Sequence, residues 1–238
     1  MAPRVLDCGD GAISVEFGDR VDAAVNARVL ALDAALRDID IPGLIETVPT
    51  YRSLLVCFDP VATDINALRA LIFSLSATGE HGSASARRWR VPVIYGGEFG
   101  VDLAEFAARH SMTPDEIIAA HSGAIYRVYM IGFMPGFAYL GGLDPRLETP
   151  RRLQPRLKTP AQSVSIGGAQ AAVSSVEAPS GWHLLGRTPA RPFMPARDPI
   201  FLFGAGDEIQ FEPIAATEWD QLDAAAARGE MVASCETT

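Results

Sequence analysis

Residues 132–147 read Gly-Phe-Met-Pro-Gly-Phe-Ala-Tyr-Leu-Gly-Gly-Leu-Asp-Pro-Arg-Leu, and a second dense segment, Ser-Gly-Trp-His-Leu-Leu-Gly-Arg-Thr-Pro, occupies 180–189. Glycine admits positive φ and close backbone approach, while proline fixes φ and removes a donor, so these residues punctuate a chain into turns. The apolar runs around them are short: 124–131, 163–166, 170–176, 182–186, 199–203 and 208–212. Short strands separated by irregular Gly/Pro turns predict a closed antiparallel β-barrel for the second half of the chain. The same loops gather aromatic rings and arginines, and binding residues concentrate on such loops. The plainer reading is a loop-rich barrel whose corners need Gly and Pro.

The first third follows other periods. Residues 12–17, Ala-Ile-Ser-Val-Glu-Phe, alternate as a strand does. Val25, Val29, Leu32, Leu36 and Ile39 then share one helical face, with Asp22 placed near its start, until Ile41-Pro42-Gly43 breaks the helix. Strands are predicted at 44–49 and 53–58, followed by a helix with Thr63 as N-cap that buries Ile65, Leu68, Ile72 and Leu75. The order β-α-β-β-α, with 91–95 as a candidate closing strand, predicts a split βαβ, ferredoxin-like unit. Pattern alone leaves 91–95 open to either domain. Ser76 to Ala86, rich in Ser, Ala and Gly, reads as a linker or exposed loop.

A short helix over roughly 102–110 precedes a capping box, Thr113-Pro114-Asp115-Glu116, whose helix should run to about His121 and stop at Ser122-Gly123. Thr217 to Arg228 predicts an Ala-rich helix ending at Gly229. The fold class is α+β: a ferredoxin-like domain over 1–86 and a barrel over 87–238.

Composition narrows the partners. The 238 residues carry a formal net charge of −9, with 48% hydrophobic and 21% charged residues, which is the balance of a folded globule. Binding to nucleic acid runs on phosphate neutralisation by a basic surface, so none is expected. Cys8, Cys57 and Cys235 are far apart and odd in number, which suits a reducing cytoplasm. The chain starts without a signal-peptide pattern, and no apolar run nears the roughly 20 residues that span a bilayer. A cytoplasmic protein without a membrane segment is expected.

Against this acidic background stands a basic run of Arg146, Arg151, Arg152, Arg156 and Lys158, offset within it by Glu148. Arginine forks suit carboxylate or phosphate, so the run suggests an anionic small ligand or an acidic partner surface; a solvated loop neutralised by acids elsewhere is the alternative. Gly132-Phe133-x-Pro135-Gly136-Phe137-x-Tyr139 follows an apolar strand and can form an anion-binding nest, or else a barrel corner with both phenylalanines in the core. No Gly-x-x-x-x-Gly-Lys-Ser/Thr occurs, so this is not a P-loop. The four histidines, His81, His110, His121 and His183, lack metal-ligand spacing, and no metal is readable. His121 reads either as a favourable charge at a helix C-terminus or as a group facing the site. His183, beside Trp182 and ahead of Arg187, is a site candidate. No Gly-x-Ser-x-Gly or Ser/Gly-rich amidase signature is present, and no hydrolase triad is readable.

Five pieces in order carry a resemblance: Cys-Gly-Asp-Gly-Ala-Ile-Ser-Val-Glu-Phe-Gly (8–18), Val-Pro-Thr-Tyr-Arg-Ser-Leu-Leu-Val-Cys-Phe-Asp-Pro (48–60), Gly-Phe-Met-Pro-Gly-Phe-Ala-Tyr-Leu-Gly-Gly-Leu-Asp (132–144), Pro-Arg-Leu-Glu-Thr-Pro-Arg-Arg (145–152) and Gly-Trp-His-Leu-Leu-Gly-Arg-Thr-Pro (181–189). Together they resemble the family that contains the B-type subunit of bacterial 5-oxoprolinase, allophanate hydrolase subunit 1 and a sporulation-kinase inhibitor. The resemblance implies a small N-terminal α/β domain and a cyclophilin-like barrel. It implies partners too: a C-type subunit, related to allophanate hydrolase subunit 2, and an A-type subunit. The task implied for the complex is ATP-dependent opening of 5-oxo-proline to glutamate, with ATP bound at the level of the complex. A homologous region in urea carboxylase moves a carboxyl group. Two stretches depart from the family pattern. Pro160-Ala161-Gln162-Ser163-Val164 stands for Pro-Ala-Gly-Ser-Val, and Gln170-Ala171-Ala172-Val173-Ser174-Ser175 for Gln-Thr-Gly-Ile-Tyr-Pro.

The leading expectation is a non-autonomous component of an ATP-dependent 5-oxoprolinase. Arg146, Arg151 and Arg152 would hold a carboxylate or phosphorylated intermediate, and Phe133, Pro135, Gly136, Tyr139, Ser163, Gly168, Gln170, Trp182, His183 and Arg187 would shape the pocket. His121 is the first proton-transfer candidate. The alternatives are a regulatory protein that inhibits a sensor histidine kinase and, on fold alone, a prolyl isomerase.

Overall fold

The computed structural model describes residues 2–78 and 87–237. By internal contacts the chain divides into two compact units, Met1–Ser85 and Ala86–Thr238.

The first unit contains β1 (Arg4–Asp7), β2 (Ala12–Glu16), α1 (Ala23–Arg37), β3 (Leu44–Pro49), β4 (Ser53–Phe58) and α2 (Ile65–Thr78). Alternation buries Ile13 and Val15 on β2, and Leu54, Val56 and Phe58 on β4. That face packs on Val29, Leu32 and Leu36 of α1 and on Leu68 and Ile72 of α2. Each such fully buried aliphatic side chain contributes about 1.5–3 kcal/mol. Asp22 caps α1 by accepting from the amides of Ala24 and Val25. The cap of α2 is Asp64, which accepts from Asn66 and Ala67, and not Thr63, whose hydroxyl donates instead to the Pro42 carbonyl.

The four strands are antiparallel in the order β1-β2-β4-β3. The position beside β2 is thus filled by β1, which precedes it in a hairpin, and not by a strand following α2. This connectivity corrects the ferredoxin-like expectation, and the strand foreseen at 91–95 belongs to the barrel. Helix α2 also covers 76–78, the start of the foreseen linker; the rest of it, with His81, lies outside the described residues.

The second unit contains β5 (Arg87–Tyr95), α3 (Leu103–Arg109), α4 (Pro114–Ser122), β6 (Tyr126–Ile131), β7 (Ala138–Gly141), β8 (Arg156–Thr159), β9 (Ser163–Gly167), β10 (Gln170–Val173), β11 (Ala178–Ser180), β12 (His183–Arg187), β13 (Glu208–Pro213), α5 (Trp219–Ala227) and β14 (Ser234–Thr237). Seven strands close a ring in the order β12-β9-β10-β7-β6-β13-β5, with β5 returning to β12. The barrel is not wholly antiparallel: β5 and β13 run parallel, from Arg88↔Glu208 to Val93↔Pro213. Segment 199–203 forms no named strand and meets the chain through the bridge Phe193↔Phe201. Strands β8 and β11 form a separate ribbon. The capping box of α4 is complete, with Thr113 and Glu116 bonded reciprocally.

Period-2 alternation gives the adjacent strands β7, β10, β9 and β12 two distinct faces. One carries Leu140, Ala171, Val173, Val164, Ile166 and Leu185 into a core shared with Phe106 of α3 and Ile117 of α4. The other carries Tyr139, Ala172, Ser163 and Ser165, and this second face bears the candidate site. No helix among the described residues is long and apolar enough to cross a membrane.

Candidate functional site

A recess of about 150 Å³ opens on that second face. Its floor is β9, which presents Ser163 and Ser165 while Val164 and Ile166 point into the core. Gly167, next on the same face, lies under Trp182: a Cβ there would sit 2.5 Å from the indole Cδ2. The ring stands there because residue 167 has no side chain.

The walls are aromatic. Phe137 meets Trp182 and Tyr139 edge-on or tilted, with centroids 6.2 and 4.7 Å apart. Phe133 stands at the rim of the loop between β6 and β7, 68% exposed, with φ of 68°. A non-glycine residue in the left-handed region is a departure that clusters at ligand sites. Burial pushes the Tyr139 phenol above its ordinary range, although the Arg151 charge opposes the shift, so the ring keeps its proton.

Hydroxyls complete the lining. Thr159 donates to the Ala178 carbonyl and Ser163 to the Pro160 carbonyl, each at 2.7 Å. The oxygens of Ser174 and Ser180 accept from the amides of Ser163 and Trp182, at 2.9 and 3.1 Å. Ser165, only 4% exposed, has no side-chain hydrogen bond to protein among the described residues.

The basic run is divided by its partners. Arg146 pairs with Asp144 at the surface, and Lys158 with Glu177. Arg152 and Arg156 both bind the buried Asp102, which also accepts the Leu184 amide at 2.8 Å. Burial alone would raise that carboxyl, but the Arg156 hydrogen bond, the Leu184 amide and two guanidinium charges hold it below the usual carboxylate range. Arg151 has no carboxylate partner among the described residues and lies over the Trp182 ring, 5.4 Å from its centroid. It is held there by its neighbours, since Thr149 bridges Gly168 and the Arg152 amide donates to Gly181 at 2.7 Å.

Of the residues named from sequence, the recess gathers Phe133, Tyr139, Arg151, Ser163 and Trp182. Arg146 and Arg152 are committed to carboxylates and do not line it. Pro135 accepts from Ser175, and Gly136 turns at φ 74° against Pro192 and Phe193. Gly168 serves the Thr149 bridge, and Gln170 starts β10. The His183 Nε2 lies 3.0 Å from the Pro150 carbonyl, with the ring against Phe106. Arg187 covers Trp219 and donates to the Ala161 carbonyl.

His121 lies in the core and not in the recess. It is fully buried and stacked on Phe211, with Nδ1 2.8 Å from the Tyr95 hydroxyl. Its Nε2 has no partner among the described residues. Burial lowers its pKa to about 3, so it is neutral at pH 7, and it takes no part in the recess lining. Sequence reading missed Phe137, Ser165 and Ser180 as lining residues, and met Ser174 only within a departure from the family pattern; the period-2 serines of β9 were the available signal. No group of three or more His, Cys, Asp or Glu among the described residues is placed to hold a metal ion.

A recess of aromatic faces, hydroxyls and one exposed guanidinium suits a small polar ring that carries an acid group. The family model for the carboxyltransferase domain, subdomain C and D, matches residues 3–203. The chain belongs to that family. Within it, the B-type subunit of the 5-oxoprolinase of Bacillus subtilis (strain 168) is 36% identical over 227 residues, which cover 91% of this chain and 95% of the relative. The crystal structure of TTHA0988 superposes with a TM-score of 0.79 at 33% identity, covering 86% of this chain and 40% of that one. The urea carboxylase of Kluyveromyces lactis matches 99% of this chain and 24% of its own, with a TM-score of 0.79 at 18% identity, a likeness of fold alone.

Proposed function

We propose that this chain is the B-type component of a multi-subunit 5-oxoprolinase, working with C-type and A-type subunits to open 5-oxo-L-proline to L-glutamate with ATP. The recess of the barrel unit holds the lactam. Arg151 carries the reading: a guanidinium without a carboxylate partner among the described residues, held over Trp182 at the lip of a recess lined by hydroxyls. The name of the Bacillus subtilis relative supports the complex to which it is assigned.

In ring opening, water oxygen joins the ring carbonyl carbon, the carbon–nitrogen bond breaks, and the nitrogen leaves as an amine that takes a proton. The recess lining contains no carboxylate or imidazole, so this chain binds and orients the ring. Proton transfer falls to groups outside the recess. A cavity of about 150 Å³ accepts a single ring the size of benzene, whereas drug-sized ligands occupy about 300–1,000 Å³. The recess is thus sized for the lactam, and we assign ATP to another site of the complex.

The test is reconstitution. The chain mixed with its A-type and C-type partners, ATP and 5-oxo-L-proline should release glutamate, and omission of any one component should stop it. No glutamate from the full set, beside a working reference enzyme, overturns the proposal.

A further inference from the structure

The lining hydroxyls are not equivalent. Thr159 and Ser163 spend their protons on main-chain carbonyls, and Ser174 and Ser180 have their oxygens fixed by main-chain amides. Among the described residues Ser165 has neither kind of partner, although its residue is almost wholly buried. Ser165 lines the recess, so its donor and both acceptor lone pairs stay open to a ligand seated there. Its position is rigid: Ser165 sits in mid-strand, opposite Ala172 on β10 and Leu184 on β12.

The charge lies at the other end. Arg151 is exposed and lies over the buried Trp182 ring, whereas Ser165 is itself buried in the floor strand. A hydroxyl has one donor and two acceptor lone pairs, and a lactam edge presents an N–H and a carbonyl side by side. A guanidinium pairs with a carboxylate and with nothing neutral at comparable strength. A ligand with both groups on one small ring satisfies both.

We infer that the recess reads its ligand by polarity: Ser165 bonds the ring amide at the floor, and Arg151 takes the carboxylate at the mouth. The ligand class is a five-membered lactam carrying an acid on the ring. This inference rests on the proposed 5-oxoprolinase role and adds the orientation of the substrate and the two residues that set it. Ser165 is thereby a specificity-determining residue. Arg151 selects for charge, and Trp182 and Phe137, packed edge to face, form the aromatic wall against which the ring lies.

Three probes separate the two ends: 5-oxo-L-proline, 2-pyrrolidinone, which lacks the acid, and cyclopentanecarboxylate, which lacks the amide. Binding to the full chain is followed by NMR at the indole proton of Trp182. Ser165→Ala should weaken 5-oxo-L-proline and 2-pyrrolidinone about fivefold each and leave cyclopentanecarboxylate within about twofold. Arg151→Ala should weaken the two acids about tenfold or more and leave 2-pyrrolidinone unchanged. The unaffected probe in each case shows that the variant is folded. If each variant weakens all three probes alike, or none, or if the two patterns are exchanged, the orientation is overturned while the wild-type chain still binds 5-oxo-L-proline. If the wild-type chain binds none of the probes and the reconstituted set makes no glutamate, the parent reading falls with it.

Discussion

Asp102 grips Arg156 with both carboxylate oxygens, Oδ2 at 2.9 Å from Nη1 and Oδ1 at 2.5 Å from Nη2. The pair joins the start of α3 to strand β8, and Arg152 binds the same carboxylate from the loop that carries Arg151. The cluster that sequence alone offered as an anion site is therefore largely neutralised from within. One residue of it, Arg151, has no carboxylate partner among the described residues.

Asp102→Asn should destabilise the chain by about 3 kcal/mol at pH 7, because it leaves Arg156 without its counter-charge and Arg152 with only the longer contact to Glu105, at 3.8 Å. The folded pKa of Asp102 is depressed. Its stabilisation is thus present above the ordinary carboxylate pKa and lost as pH falls through the folded value. Urea midpoints of wild type and variant should begin to converge once pH falls below the ordinary carboxylate pKa; a gap independent of pH would contradict the charge argument.

His121 loses stability in the same direction of pH, but from burial of a neutral ring and at a higher pH. The native state excludes a proton that the unfolded chain accepts below about pH 6.5, so stability falls with pH from about 6.5 toward 3. Between pH 7 and pH 5 this residue should account for about 2 kcal/mol of loss. His121→Phe keeps the stack on Phe211, loses the Tyr95 contact at a cost of about 2 kcal/mol at pH 7, and should flatten that dependence. Glutamate production by the reconstituted complex should persist with this variant; its disappearance while the chain stays folded would return His121 to the chemistry.

Gln162 stands at φ 65°, in the left-handed region that favours glycine. Its amide nitrogen reaches the Pro189 carbonyl at 3.2 Å and Asp223 at 3.4 Å, long bonds that partly offset the strained backbone. Gln162→Gly should therefore change stability by no more than about 1 kcal/mol. Gln162→Val, β-branched at the same dihedral, should cost more than about 2 kcal/mol. Thermal denaturation of the two variants side by side decides it.

Gly167→Ala places a methyl group against the Trp182 ring, 2.5 Å from Cδ2 and 2.7 Å from Cε2. Overpacking of this kind costs about 1–3 kcal/mol. Because the indole is the part that must move, 5-oxo-L-proline binding should fall more steeply than stability. A shifted tryptophan emission with a ligand affinity like that of the wild type would show that the ring position does not matter.

What the sequence made legible was local. The capping box at Thr113, the Asp22 cap and the alternation of β2 and β4 are set by neighbours three or four residues away, and each formed as read. Failures came from partners distant along the chain. Asp102 lies 50 residues from Arg152, so the neutralisation of the basic run left no trace in local composition. His121 meets Tyr95 and Phe211 only after folding, and its nearness in sequence to the Gly132 loop misled. The hairpin partner of β2 was missed because Arg4–Asp7 is a short, mostly exposed edge strand with little apolar signal. In the recess, Trp182 and Tyr139 announced themselves as rings on Gly-rich turns, whereas Ser165 is an ordinary strand serine until its lack of partners is seen.

The parallel seam between β5 and β13 bears on how the protein is made. Arg88 finds Glu208 across 120 positions, and β13 is also the strand that separates β5 from β6. During translation those two strands wait with bare edges until Glu208 and the rest of β13 emerge from the ribosome. Stalled or truncated nascent chains that stop short of Glu208 therefore display two open pairing surfaces, the kind from which aggregates grow. Quality control in the producing cell has its clearest target there.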